Sequence, residues 1–293
     1  GLAKVLADTS VHGYLGDTVP YRQRGRAVGV VELSWSVSWL VGVPAAGFLM
    51  ERFGWRAPWA VLTGLALLGV WPILAGLPLG AQPSPPPTQG MLHVGAGLVR
   101  HWRGLLRHRP IAVLLLVTPL LIAAVEIPLI VYGAWLETAF GLSLSALGLA
   151  SIVLGLAEAA AEFGTTVITD RLGKKRSVLF GLLGLAAGLL VLPGLARFGL
   201  VAALAGLVLV MLGFEFSLVS LLPLATELAP ETRASLLSLN IMAGSLGRMI
   251  GAVGGGWLWE WGRGGIAANA WVGASCALLA AALMAWGMVE IDE

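Results

Sequence analysis

Two apolar runs, residues 145–169 and 177–196, flank seven residues, Asp170–Arg176, of which five are charged. A helix needs about 20 apolar residues to cross about 30 Å of hydrocarbon, and both runs meet that length. Backbone polar groups find no partner in hydrocarbon, so such runs form helices whose backbone groups bond to themselves. Seven residues between them imply two antiparallel neighbours. Gly173 permits the tight bend because it carries no Cβ. Arg171, Lys174, Lys175 and Arg176 give the turn a cationic cap, which belongs on the cytoplasmic face.

The rest of the chain obeys the same constraint. Hydrophobic residues make up 58% and charged residues 12% of 293, with mean hydropathy +0.88. Soluble domains carry about 25% charged residues. The fold class expected is therefore all-α, a polytopic membrane helical bundle. The net charge is +2, with the basic residues confined to short caps between spans, so nucleic acid is not an expected partner. The single cysteine, Cys276, excludes an intrachain disulfide. Arginine outnumbers lysine 15 to 3, which fits a GC-rich bacterial genome. The chain starts at Gly1 without methionine or a signal-peptide pattern, and reads as a truncation within a helix.

In chain order, residues 1–16 form a short first segment with Lys4, Asp8 and His12 on one face. A polar loop, Asp17–Arg26, precedes a span over 27–50, and the turn Glu51–Arg56 leads to a span over 57–77, with Trp55 and Trp59 as interfacial anchors. Residues 78–109 are the one long connection. Gln82–Gln89 contains four prolines and reads as a linker. Met91–Arg109 places Val94, Leu98, Trp102, Leu105 and Leu106 on one helical face and Arg100, Arg103 and Arg107 on another, the pattern of an amphipathic helix on an anionic membrane surface. Six spans follow, over 110–136, 145–169, 177–196, 198–224, 234–259 and 267–289. Pro119 and Pro128 are expected to kink the first of them, and Pro223 to end the fourth. The domains expected are 1–77, 78–109 and 110–293.

With 164–176 inside, the inner loops carry Arg22, Arg24, Arg26, Arg100, Arg103, Arg107, Arg109, Arg171, Lys174, Lys175, Arg176 and Arg233, and the outer loops Arg52, Arg56, Arg197 and Arg263. Twelve against four is a positive-inside bias, and it places the C-terminus in the cytoplasm. An internal repeat accompanies it. Arg26-Ala27 through Gly42, Pro44, Gly47 and Glu51 is echoed by Arg233-Ala234 through Gly251, Gly254 and Glu260, at offsets of 207 and 209. Parallel repeats about an axis along the membrane normal are one way to build a transporter.

These residues carry a resemblance. Asp170, Arg171, Gly173, Lys174 and Lys175 are similar to the Asp-Arg-x-Gly-Arg-Arg/Lys core of the loop motif of the major facilitator superfamily, with Thr166 where that motif has its first glycine. Gly42, Pro44 and Gly47 resemble the family's Gly-Pro-x-x-Gly motif of helix 5, with Val43 inserted. Asp17 to Pro20 with Arg24 to Ala27 resembles the loop between helices 4 and 5. The resemblance implies two pseudo-repeated bundles of six helices, of which this chain holds helices 4–12, with helices 1–3 missing. It also implies a secondary active transporter of small solutes in the cell membrane. Proton-coupled export, as by an antiporter, is the leading form, and a non-transporting truncated scaffold or remnant is the alternative.

Charges within spans are where chemistry is expected, since each costs about 2.5–3.5 kcal/mol to insert. The acids are Asp8, Glu32, Glu126, Glu158, Glu162 and Glu215, and the cations Lys4 and Arg248. Six acids against two cations leave four that take up a proton or await a cation, which suits proton-coupled transport. By the resemblance, Asp8, Glu126 and Glu215 lie on helices 4, 7 and 10, which face the central cavity. Ser151, Gly155, Glu158, Glu162, Thr165 and Thr169 form one helical face, opposite Val153, Leu156, Ala160 and Val167. Glu158 and Glu162 on that stripe are the expected proton-coupling pair. Arg248, on the face of Asn240, Gly244, Gly251 and Gly255, is expected to pair with Glu215, Glu158 or Glu162. Trp35, Trp39 and Trp135 are candidates for stacking on an aromatic or cationic solute. No histidine–cysteine pair suggests a metal, no Gly-rich loop with Lys-Ser/Thr suggests ATP, and no catalytic constellation suggests an enzyme. The expected partners are a small-molecule solute, protons and the bilayer; no cofactor and no oligomer is implied.

Overall fold

The computed structural model describes residues 11, 37–76, 102, 104–228 and 232–288. These are helical almost throughout, and no strand occurs among them. A π turn, Ser38–Gly42, runs directly into α1, Val43–Phe53. Next come α2, Ala57–Gly76; α3, Arg109–Leu129; α4, Tyr132–Phe140; and α5, Leu144–Leu172. The chain closes with α6, Lys174–Leu195; α7, Leu200–Leu228; α8, Arg233–Trp261; and α9, Ile266–Gly287. Among the described residues, seven helical stretches are long and apolar enough to cross a membrane. Their outer surface carries Trp71, Phe180, Val201, Trp257 and Trp286, all exposed, an exterior suited to hydrocarbon and its interfaces.

The turn after α5 is tighter than the sequence suggests. Helix continues through Asp170 and Arg171 to Leu172 and resumes at Lys174, so the connector is Gly173 alone, at φ 83°. No residue before Gly173 breaks a helix, and an L side chain at that φ would be strained. Nor are α5 and α6 close neighbours. They diverge from the turn, and α7 packs against both. Two further expectations concern prolines, the kink at Pro128 and the end at Pro223. The span over 110–136 is broken at Ile130–Val131, just beyond Pro128, where Val131 N–H bonds back only three residues, to the Pro128 carbonyl. Pro223 does not end its helix; α7 runs on to Leu228. One missing N–H is tolerated in a membrane helix when neighbours take over.

Packing relies on small residues, because dispersion contact rather than water exclusion holds helices together in lipid. A Cβ on Gly181 would collide with the Ser217 backbone, and one on Gly213 with that of Leu185, so α6 and α7 touch main chain to main chain. Helices α8 and α9 flank α3. Buried Asn269 on α9 ties all three, donating from Nδ2 to the Ile127 carbonyl (3.0 Å) and the Gly255 carbonyl (2.8 Å). Thr118 on α3 donates to Asn240 Oδ1 on α8 (2.6 Å). Helix α1 lies on the first half of α5, and α2 is exposed along nearly all its length. Asp8, Lys4 and Glu32, the loop 17–26 and most of the expected interfacial helix lie outside the described residues. Of that last helix only Trp102, packed on the core, and Gly104–Arg109 are described, with Leu105 buried.

Candidate functional site

The stripe on α5 divides into a packed part and an open part. Ser151 is fully buried, donating to the Gly148 carbonyl of its own helix (2.6 Å) and to the Trp39 carbonyl of the π turn (3.3 Å). One turn on, Gly155 lies against Trp39. One turn further the wall ends, and Glu158 and Glu162 face a cavity of about 300 Å³. Residues of α3 (Ile122, Val125, Glu126, Leu129), of α7 (among them Met211, Phe214, Glu215 and Leu218), Arg248 of α8 and Trp39 also line it. Val153 and Leu156 on the opposite face of α5 are exposed, as the stripe requires.

Three acids converge in this cavity. Glu158 and Glu162 come from α5 and Glu215 from α7, and one carboxylate oxygen of each lies within 4.8 Å of the others. Glu158 and Glu215 are buried, while Glu162 is open to the cavity mouth. Glu158 Oε2 is out of contact with solvent and accepts no hydrogen bond among the described residues. The fourth acid stands apart. Glu126 lies 3.9 Å from Arg248 Nη1, an ion pair without hydrogen-bond contact. Arg248 therefore pairs with an acid not among the three expected for it. The reason lies three residues on: Gly251 lets α8 approach the Cβ of Glu126 as no larger residue would, which brings Arg248 to that side of α3. A glycine one turn from an intramembrane arginine was the available signal.

The remaining singled-out residues fall into three sets. Pro44 and Gly47 lie at the α1–α5 contact, and Gly42 is exposed in the π turn before it. A Cβ on Gly47 would meet the Leu144 carbonyl, and one on Gly148 would lie 2.8 Å from the Pro44 Cα. The π turn that holds Gly42 takes up one residue more than a regular helix, which accommodates the inserted Val43. Trp39 lines the cavity, whereas Trp135 is buried edge-on against Phe140 (5.9 Å) and does not. In the charged turn, Lys174 pairs with Glu227 at the end of α7. Asp170 and Arg171 are helical in backbone, and their side chains lie outside the description.

One polar contact had no sequence signal. Glu51 Oε2, in the last turn of α1, accepts the Ser145 N–H at the start of α5 (2.7 Å), satisfying a donor that α5 itself cannot. It lies outside the apolar span 27–50 and is exposed. Hydrogen bonds from the Ser145 side chain and then from its backbone hold the Glu51 carboxyl below its ordinary value.

Membrane-length helices around a charged internal cavity define a polytopic membrane protein. Residues 1–134 and 114–290 match the Major Facilitator Superfamily, so the chain belongs to that family, one of transporters and not of enzymes. It is 26% identical over 235 residues to YceJ of Bacillus subtilis (strain 168), an uncharacterized MFS-type transporter, across 80% of this chain. That match spans 58% of the relative's length. Among solved structures, a D-xylose–proton symporter aligns with TM-score 0.70 at 19% identity, covering 95% of this chain and 67% of that one. A bacterial homologue of the iron transporter ferroportin, in an inward-facing state, aligns with TM-score 0.65 at 16% identity, covering 91% and 64%. At those identities the likeness is one of fold.

Proposed function

We propose that this chain is the greater part of a secondary active transporter that moves a small solute out of the cell by alternating access, in exchange for protons. Residues 1–77 are part of the first bundle, 78–109 the cytoplasmic linker and 110–293 the second bundle, with the C-terminus cytoplasmic in a cell membrane. The observation that carries the reading is the convergence of Glu158, Glu162 and Glu215 on one cavity within the span of the membrane. Carboxylates there are costly unless they exchange charge with something that moves. Like charges this close cannot all ionise cheaply, so proton uptake at one is coupled to the state of the others. Arg248 and Glu126, on the opposite wall, form a switchable pair: at 3.9 Å, with Arg248 well exposed, a modest helix shift breaks or tightens it. The loop motif Asp170–Lys175 and the glycine motif Gly42–Gly47 act at the ends of α5, where hairpin and bundle contact are set.

The test is substrate-independent at its start. The protein, with any upstream segment its gene encodes, is reconstituted in vesicles carrying an imposed pH gradient and a pH-sensitive dye. A panel of neutral and cationic aromatic solutes is then added. A coupled solute collapses the gradient in wild type, and Glu158→Gln with Glu162→Gln abolishes the response while leaving insertion intact. Unchanged proton dependence in both single variants and the double variant would falsify the coupling.

A further inference from the structure

We infer that Glu158, Glu162 and Glu215 together bind one hard divalent cation where α5 and α7 face the cavity. This deepens the transport reading, since it uses the same acids, and it departs from the expectation of no metal drawn from histidine and cysteine alone. The geometry points to a cation first. One oxygen from each carboxylate lies within 4.8 Å of the other two. Oxygens sharing a calcium-sized ion at about 2.3–2.6 Å sit roughly 3.3–5 Å apart, so no backbone movement is needed.

A second observation is independent of the clustering. Glu158 is 9% exposed, and its Oε2 is sealed from solvent with no partner among the described residues. A buried carboxylate oxygen without a donor is rare, and an ion, water or proton must satisfy it. No side-chain cation does so: Arg248, the one Lys or Arg lining the cavity among the described residues, lies beside Glu126 instead.

Charge and donor type then narrow the class. Three ionised carboxylates carry three negative charges; a divalent ion offsets two and a monovalent ion one. All donors are oxygens, and no histidine or cysteine lines the cavity among the described residues. Oxygen-only sites favour magnesium, calcium or manganese over zinc or copper. The cavity of about 300 Å³ leaves room for waters to complete a shell of about six to eight ligands.

The experiment titrates Mn²⁺ into the chelator-stripped full chain in detergent and reads free Mn²⁺ by electron paramagnetic resonance. Expected is one saturable Mn²⁺ per chain, displaced by Ca²⁺. Affinity should fall at least about tenfold in each of Glu158→Gln, Glu162→Gln and Glu215→Gln, and stay unchanged in the exposed Glu260→Gln, since each carboxylate supplies one charged ligand. Lack of saturable binding by wild type overturns the site whatever the variants do, and so does binding retained in all three. Vesicle flux separates the two readings. Flux that persists in a protein binding no Mn²⁺ overturns this site alone, and Mn²⁺ bound by a protein without flux overturns the transport reading alone.

Discussion

The two halves of α5 share one helical stripe and use it in opposite ways. In the first half, the stripe and its flank are Gly148, Ser151 and Gly155, and they close against α1 and the π turn. An added Cβ on Gly148 would lie 2.8 Å from the Pro44 Cα, and one on Gly155 would lie 3.0 Å from the Trp39 Cβ. In the second half the same spacing presents Glu158 and Glu162, and the neighbouring helices stand off to leave a cavity. Without a hydrophobic drive between helices in lipid, contact follows from how closely backbones can approach. Small residues permit that approach. Carboxylates prevent it, because their charge must meet water, a proton or a cation. One helix is thus a packing surface at one end and a cavity wall at the other.

That contrast can be broken at its glycines, with the largest effect first. Gly148→Leu should cost about 1–3 kcal/mol, as overpacking does, and lower the detergent-solubilised melting temperature. Gly164, on the second half, has no atom within 4 Å of its built Cβ. Gly164→Leu should raise stability by up to about 0.8 kcal/mol through helix propensity. Equal losses at both sites would remove the distinction between the halves.

A smaller effect belongs to the ion pair across the cavity. Arg248 is 62% exposed and 3.9 Å from Glu126, so solvent screens the pair. Arg248→Gln should change stability by less than about 1 kcal/mol, while altering flux in the vesicle assay. A larger stability loss would make the pair a structural clamp.

The smallest effect lies at the closed end, in the Glu51 cap on α5. The Glu51 carboxyl is held below its ordinary value of 4.5 in the folded protein. A lowered carboxyl contributes stability that is present above the unfolded value and lost as pH falls through the folded one. The difference in melting temperature between wild type and Glu51→Gln should therefore be constant near neutrality and vanish in acid below 4.5. A difference that persists in strong acid would mean that Glu51 acts by shape alone.

Much of this arrangement could be read from residue spacing. The stripe Ser151–Gly155–Glu158–Glu162–Thr165 follows helical periodicity, so its inward face, and the outward Val153 and Leu156, were legible without coordinates. Glycine, proline and charge marked where spans begin and end, except where helix propensity carried α5 up to Gly173 and α7 past Pro223. What was illegible depends on which helices are neighbours. Glu215 meets Glu158 and Glu162 only because α7 packs between α5 and α6. Arg248 meets Glu126 because Gly251 draws α8 onto α3. Glu51 caps α5 only because α1 lies along it. Each is a contact between residues far apart in sequence, and periodicity carries no information on that.

The central claim is that the open half of α5 exchanges a proton. Infrared difference spectroscopy on the chelator-stripped protein, across a pH jump through neutrality, reads this directly through the carbonyl stretch of neutral carboxyl groups. The account predicts a carboxyl band that appears and disappears with the jump in wild type and is lost in the Glu158→Gln, Glu162→Gln, Glu215→Gln triple variant. A band of unchanged size in that variant would contradict it.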